Sequence, residues 1–165
     1  MPQNGVAMRV APPRSGTILA MNTMTRDGLH TVLCIDDDVQ NTDLRRQLLE
    51  SLGFRVLIAN NGADGLAMIC DEPPDIVLLD YLMPGMDGSQ VAREAKRLRP
   101  GLPIVLLSAH VDVPGEALQH VDCFVVKGEP LDHLLGRMRG LIQKPERSVR
   151  LRRNGKRQAP SRRKA

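Results

Sequence analysis

Aromatic residues are almost missing from this chain: 165 residues contain no tryptophan, one tyrosine (Tyr81) and two phenylalanines (Phe54 and Phe124). A core must therefore be aliphatic, and a hydrophobic fraction of 42% is enough for one such domain with tails. Long apolar runs are missing too. No stretch approaches the roughly 20 residues that span a bilayer, and Gly16 to Met21 is too short for a signal-peptide core. These absences exclude a membrane span and lead us to expect a soluble, cytoplasmic protein. Cysteine is scarce, and Cys34, Cys70 and Cys123 lack metal-ligand spacing. We read them as buried, reduced thiols without a functional role.

The net charge of +4 conceals an asymmetry. Between His30 and Gln143 there are 17 acidic and 10 basic residues, net −7, whereas Lys144 to Ala165 carries 10 basic residues against Glu146 alone, net +9. The chain thus divides into three parts. Residues 1–29 hold Pro2, Pro12, Pro13, Gly5 and Gly16 without sustained periodicity and are expected to be a disordered extension. Residues 30–143 are the folded domain, and 144–165 are expected to be a disordered basic tail.

Within the domain, apolar strand patterns alternate with helical ones. Strands are expected at Thr31–Ile35, Arg55–Ala59, Ile76–Leu79, Ile104–Leu107 and Cys123–Val126. Leu44, Leu48 and Leu52 recur at helical spacing ahead of Gly53, a suitable helix stop. Further helices are expected over Ala63–Ile69, Gln90–Leu98 and from Pro130 onward. This alternation argues for an α/β fold with a doubly wound, five-stranded parallel sheet. The fourth crossover is the exception: Val111–Asp122 contains Pro114 and Gly115 and leaves room for two helical turns at most.

Four apolar runs end on residues that handle phosphate or metal: Ile35 leads into Asp36-Asp37-Asp38, Leu79 into Asp80, Leu107 into Ser108 and Val126 into Lys127. In a parallel sheet the carboxyl ends of the strands share one edge, and ligands bind in the crevice outside it. Carboxylates crowded at that edge repel one another unless a divalent cation takes up their charge, and hard oxygen ligands without Cys or His favour Mg²⁺. Asp38 is expected to cap the helix that begins near Val39. Asp80 precedes a loop turned sharply by Pro84, Gly85 and Gly88. A carboxylate there can attack phosphorus in line to give an aspartyl-phosphate. Mg²⁺ and Lys127 would neutralise the transferred charge, and Ser108 would donate its hydroxyl to a phosphoryl oxygen.

The segments Val32–Asp38, Asp75–Gly88, Ile104–Ala109 and Phe124–Lys127 together resemble the receiver domain of two-component response regulators, with a flavodoxin-like (βα)5 fold. The resemblance covers about His30 to Gln143, and a stand-alone receiver is expected. It implies that Asp80 is the phosphoacceptor, that Asp37 binds Mg²⁺ directly and Asp36 directly or through water, and that the Leu82 carbonyl completes the protein ligands. It also implies a switch formed by Ser108 and Phe124, and a phosphoryl partner in Lys127. The implied phosphodonor is a histidine kinase or histidine phosphotransfer protein, and the output is contact with a downstream protein.

Two departures stand out. Receivers usually carry proline after the lysine, often in a cis bond, where this chain has Gly128. A trans bond and a looser loop around Lys127 are therefore expected. The short fourth crossover also removes part of the usual output face, so a monomer is expected. Two rival readings remain. An aspartyl-nucleophile phosphatase would use Asp36 and Asp38, but it leaves Asp80 and its loop idle and finds only Glu129 and Asp132 after the lysine. A nucleic-acid-binding regulator would act through the basic tail, whose charge predicts salt-dependent, non-specific polyanion binding.

Overall fold

The alternation of side chains along each strand divides the core between the two faces of one sheet. A computed structural model describes residues 24–25 and 28–143. Strand β1 (Thr31–Ile35) sends Leu33 and Ile35 to one face and Val32 and Cys34 to the other. Strand β3 (Ile76–Asp80) does the same with Val77 and Leu79 against Ile76 and Leu78, and β4 (Ile104–Ser108) with Ile104 and Leu106 against Val105 and Leu107. Both central strands are buried at every position, as befits a parallel sheet covered on both sides.

The sheet is parallel throughout, in the order β2-β1-β3-β4-β5, with β2 at Arg55–Ala59 and β5 at Cys123–Val126. The order reverses direction between β1 and β3, which puts a crevice outside their carboxyl ends. Among the described residues four helices cover the sheet: α1 (Val39–Ser51), α2 (Gly62–Asp71), α3 (Gly88–Leu98) and α4 (Leu131–Ile142). The fourth crossover holds only a single 3-10 turn, Gly115–Leu118, so the expected shortening of that helix is complete. An open cavity of about 430 Å³ lies beside this turn, lined by Tyr81, Arg93, Pro114, Ala117 and His120 among others.

Two expectations need correction, on the cysteines and on residues 1–29. Helix α1 forms as expected, with Leu44 and Leu48 68% and 37% exposed. The inward stripe is instead Thr42, Arg45 and Leu49, at the i, i+3, i+7 spacing of one helical face. Only Cys34 of the three thiols is buried, its pKa pushed up to about 12 by desolvation, while Cys70 is exposed and Cys123 half-buried. The stretch read as a disordered extension contains a two-residue antiparallel ladder, Met24–Thr25 with Gly28–Leu29. The basic tail lies outside the described residues. No helix among the described residues is long and apolar enough to cross a membrane.

Candidate functional site

The strand registers bring the chemical residues together. Ile35 sits beside Leu79, Asp80 beside Leu107, and Ser108 beside Val126, so Asp36, Asp80, Ser108 and Lys127 all fall at one edge of the sheet. Asp80 and Ser108 are the last residues of their strands rather than the first of the following loops, so both are held by the ladder itself.

Asp36 and Asp80 are almost wholly buried, whereas Asp37 is exposed. One carboxylate oxygen from each of Asp36, Asp37 and Asp80 lies within 4.8 Å of the others. Lys127 Nζ reaches Asp80 Oδ1 at 2.7 Å and Asp36 Oδ2 at 3.2 Å. Arg45, from the inward face of α1, lies against the same Asp36 Oδ2, with Nη2 at 3.4 Å. Asp36 Oδ1 accepts the Asp38 backbone N–H at 3.0 Å. Asp38 caps α1, as expected, by accepting from Gln40 and Asn41 N–H.

These neighbours set the protonation of the pair. Burial raises the Asp80 carboxyl above the usual aspartate value, and the Asp36 charge adds to this while Lys127 opposes it. Burial works against the Lys127 ammonium, but the hydrogen bond and charge of Asp80, with Asp36 behind them, outweigh it and raise its pKa. An acid that resists ionisation beside a lysine that resists deprotonation marks charge held ready for another group. The donor set, three carboxylates with no sulfur or imidazole, suits a hard divalent cation such as Mg²⁺.

The loop after Asp80 is closed by its glycines. Gly85 adopts φ +80°, Gly88 N–H donates to Tyr81 O at 2.8 Å, and buried Met83 anchors the loop in the core. Asp87 then caps α3 in a capping box with Gln90. Leu82 itself is exposed. Ser108 is buried, and its Oγ accepts the His110 N–H at 3.0 Å. Phe124 is half-buried on the face shared with Val113, Leu118 and Val121.

The loop after Lys127 is tighter than expected. The peptide is trans, Gly128 takes φ +99°, and Glu129 N–H donates to Val126 O at 3.1 Å. Glu129 Oε1 in turn accepts the Val126 N–H at 3.1 Å. Arg137 donates to Phe124 O at 2.5 Å and faces Glu129 Oε2 at 3.5 Å. Two side chains thus satisfy the open edge of β5, which otherwise presents unpaired backbone groups. Sequence reasoning missed this pair, and it missed Arg45. The only signal for Arg45 is its spacing between Thr42 and Leu49.

Fold and site together define a doubly wound α/β domain with an acid, hydroxyl and lysine pocket at its switch point. The chain belongs to the response regulator receiver domain family, whose model matches residues 32–139. It is 34% identical over 116 residues to the uncharacterized transcriptional regulatory protein YbdJ of Bacillus subtilis, covering 69% of this chain and 51% of that one. It is 35% identical over 121 residues to the response regulator MprA of Mycobacterium tuberculosis, covering 70% and 52%. The chain thus spans about half the length of these relatives. Among solved structures it resembles a CheY-like receiver domain protein from Methanospirillum hungatei, with a TM-score of 0.66 and 28% identity over 70% of this chain and 94% of that one. It also resembles the response regulator TrrA from Thermotoga maritima in complex with Mg²⁺-BeF, with a TM-score of 0.64 and 28% identity over 68% and 99%. A further neighbour, at 0.64 and 29% over 68% and 98%, is TrrA in a complex with the histidine kinase ThkA.

Proposed function

We propose that this protein accepts a phosphoryl group on Asp80 from the phosphohistidine of a histidine kinase or phosphotransfer protein, and signals through contacts with a downstream protein. The observation that carries this reading is the ion pair of buried Asp80 with partly exposed Lys127 at 2.7 Å, set beside two further carboxylates at a sheet switch point. In the transfer, an Asp80 oxygen forms a bond to phosphorus as the phosphorus–nitrogen bond of the donor histidine breaks, and the freed imidazole takes the electron pair. Asp36, Asp37, Asp80 and the Leu82 carbonyl would hold Mg²⁺, which supplies neutralisation of the phosphoryl oxygens. Lys127 swings its charge from Asp80 to the new phosphoryl group. Ser108 exchanges its bond from His110 N–H for a contact to a phosphoryl oxygen, and Phe124 follows it inward as the switch.

Glu129 faces the β5 edge rather than the pocket and Asp132 is exposed, which speaks against the phosphatase reading, since among the described residues no acid after the lysine joins the carboxylate cluster. The signalling state is read as monomeric, because the truncated crossover offers little surface for a symmetric pair, and the setting as cytoplasmic, where the kinase would present its phosphohistidine. Phosphotransfer from a labelled histidine kinase tests the function. The wild type is expected to take up the label in Mg²⁺, and Asp80→Asn is expected to take up none. Equal labelling of the two overturns the proposal.

The partner surface follows from α1. Leu44, Leu48 and Val39 expose apolar side chains on the helix that begins beside the acid pocket. Exposed leucines of this kind are where a partner helix can bury area. Leu44→Asp is expected to slow transfer from the kinase roughly tenfold or more while leaving phosphorylation by acetyl phosphate within about twofold. Equal loss with both donors would place Leu44 in the fold rather than at the interface.

A further inference from the structure

Helix α1 turns three residues toward the sheet: Thr42 and Leu49, both fully buried, and between them Arg45, whose side chain is only 14% exposed. A guanidinium in that row is costly unless it meets a charge. The charge it meets is Asp36, 1% exposed, at the end of β1. Both Arg45 Nη atoms point at Asp36 Oδ2, at 3.5 and 3.4 Å, the oxygen that Lys127 also approaches at 3.2 Å. These distances exceed a well-made charged hydrogen bond of about 2.7–2.9 Å. The guanidinium therefore acts on the pocket through its charge more than through a fixed bond.

The charges of the pocket give this a consequence. Three carboxylates against Lys127 and Arg45 leave one net negative charge; Lys127 alone would leave two. A divalent cation entering the resting pocket meets less attraction because of Arg45. Once Asp80 carries a dianionic phosphoryl group, the two remaining carboxylates, the phosphoryl group, a divalent cation, Lys127 and Arg45 sum to zero. Without Arg45 that state keeps one uncompensated negative charge.

We infer that Arg45 is a second internal counter-cation which weakens Mg²⁺ binding to the resting pocket and stabilises the phosphorylated one. The inference rests on the Mg²⁺ site described under the proposed function. Arg45 is a positioning residue here, acting through Asp36.

The test is calorimetric titration of Mg²⁺ into the full chain, then of beryllofluoride at saturating Mg²⁺. The proteins compared are the wild type, Arg45→Gln, Arg45→Met, Arg45→Lys and, as control, Arg46→Gln, since Arg46 pairs with Asp43 at the surface. Both neutral Arg45 variants are expected to bind Mg²⁺ about tenfold tighter than the wild type and beryllofluoride about tenfold weaker. Arg45→Lys and Arg46→Gln should stay within about threefold of the wild type. A purely structural role would shift both ligands in one direction. Mg²⁺ affinity unchanged or weaker in the neutral variants overturns the inference. So does failure of both to fold even in millimolar Mg²⁺, which assigns the guanidinium to stability alone. If the wild type binds no Mg²⁺, the proposed function fails instead.

Discussion

An alanine at Gly88 lowers the folding free energy by about 3 kcal/mol and the thermal midpoint by roughly 10 °C. The added Cβ would sit 2.3 Å from the Asp80 carbonyl oxygen and 2.9 Å from both Tyr81 Cα and Leu106 Cδ1. Two of these neighbours are backbone, and Asp80 is locked between β1 and β4 in the middle of the sheet. The chain at Gly88 cannot retreat either, since its N–H is spent on Tyr81 O at 2.8 Å. The strain therefore falls on the strand end that carries the phosphoacceptor, and phosphorylation should decline along with stability. Gly136→Ala is the control: it lies on the exposed face of α4 with nothing within 4 Å of the new Cβ. It should be neutral or stabilising by up to about 1 kcal/mol. Thermal unfolding of the two variants checks this, and equal midpoints would show that the contact between α3 and β3 is not tight.

Lys127→Ala has the second large effect. In the wild type the ammonium answers two buried carboxylates at once, Asp36 and Asp80. Its removal leaves them facing each other with Arg45 alone as counter-charge, and Asp80, already raised by burial and by Asp36, rises further. In EDTA the variant should lose about 2 kcal/mol at neutral pH, a figure reduced from that of a fully buried pair because Lys127 is partly exposed. The sign follows from the raised carboxyl. A folded-state acid with elevated pKa is most stable where it is protonated, so the deficit is small near pH 4 and grows as pH rises through the folded-state value. Urea denaturation at pH 4 and pH 7 reads the difference. Phosphotransfer in Mg²⁺ should slow roughly a hundredfold, because the positive charge that meets the transferred group is gone. A deficit that shrinks with rising pH would contradict the assignment.

Much of the site was legible because strand ends are legible. An apolar run of four or five residues that stops at Asp36, Asp80, Ser108 or Lys127 announces both the strand and the edge where the polar residue emerges, and Pro114 with Gly115 announces the missing helix. The orientation of α1 was not legible. Leu44, Leu48 and Leu52 make an apolar row at helical spacing, yet Leu44 and Leu48 stay exposed and the buried face runs through Thr42, Arg45 and Leu49. Only the ion pair with Asp36, a contact nine residues away and fixed by the sheet, makes an inward arginine tolerable. The Lys127 loop misled for a related reason. Gly128 suggests slack, but the closure comes from the Glu129 carboxylate on Val126 N–H and from Arg137 on the strand edge. Side-chain bonds to backbone across an edge strand leave no periodic trace in a sequence.

The most direct test of the account is to locate the phosphoryl group. After incubation with acetyl phosphate and Mg²⁺, borohydride reduces an acyl phosphate to the alcohol and so converts a phosphorylated aspartate to homoserine, which peptide mass spectrometry reads by position. Homoserine is expected at position 80 alone, absent when EDTA replaces Mg²⁺. Homoserine at position 36 or 37, or the same yield at position 80 in EDTA, would contradict it.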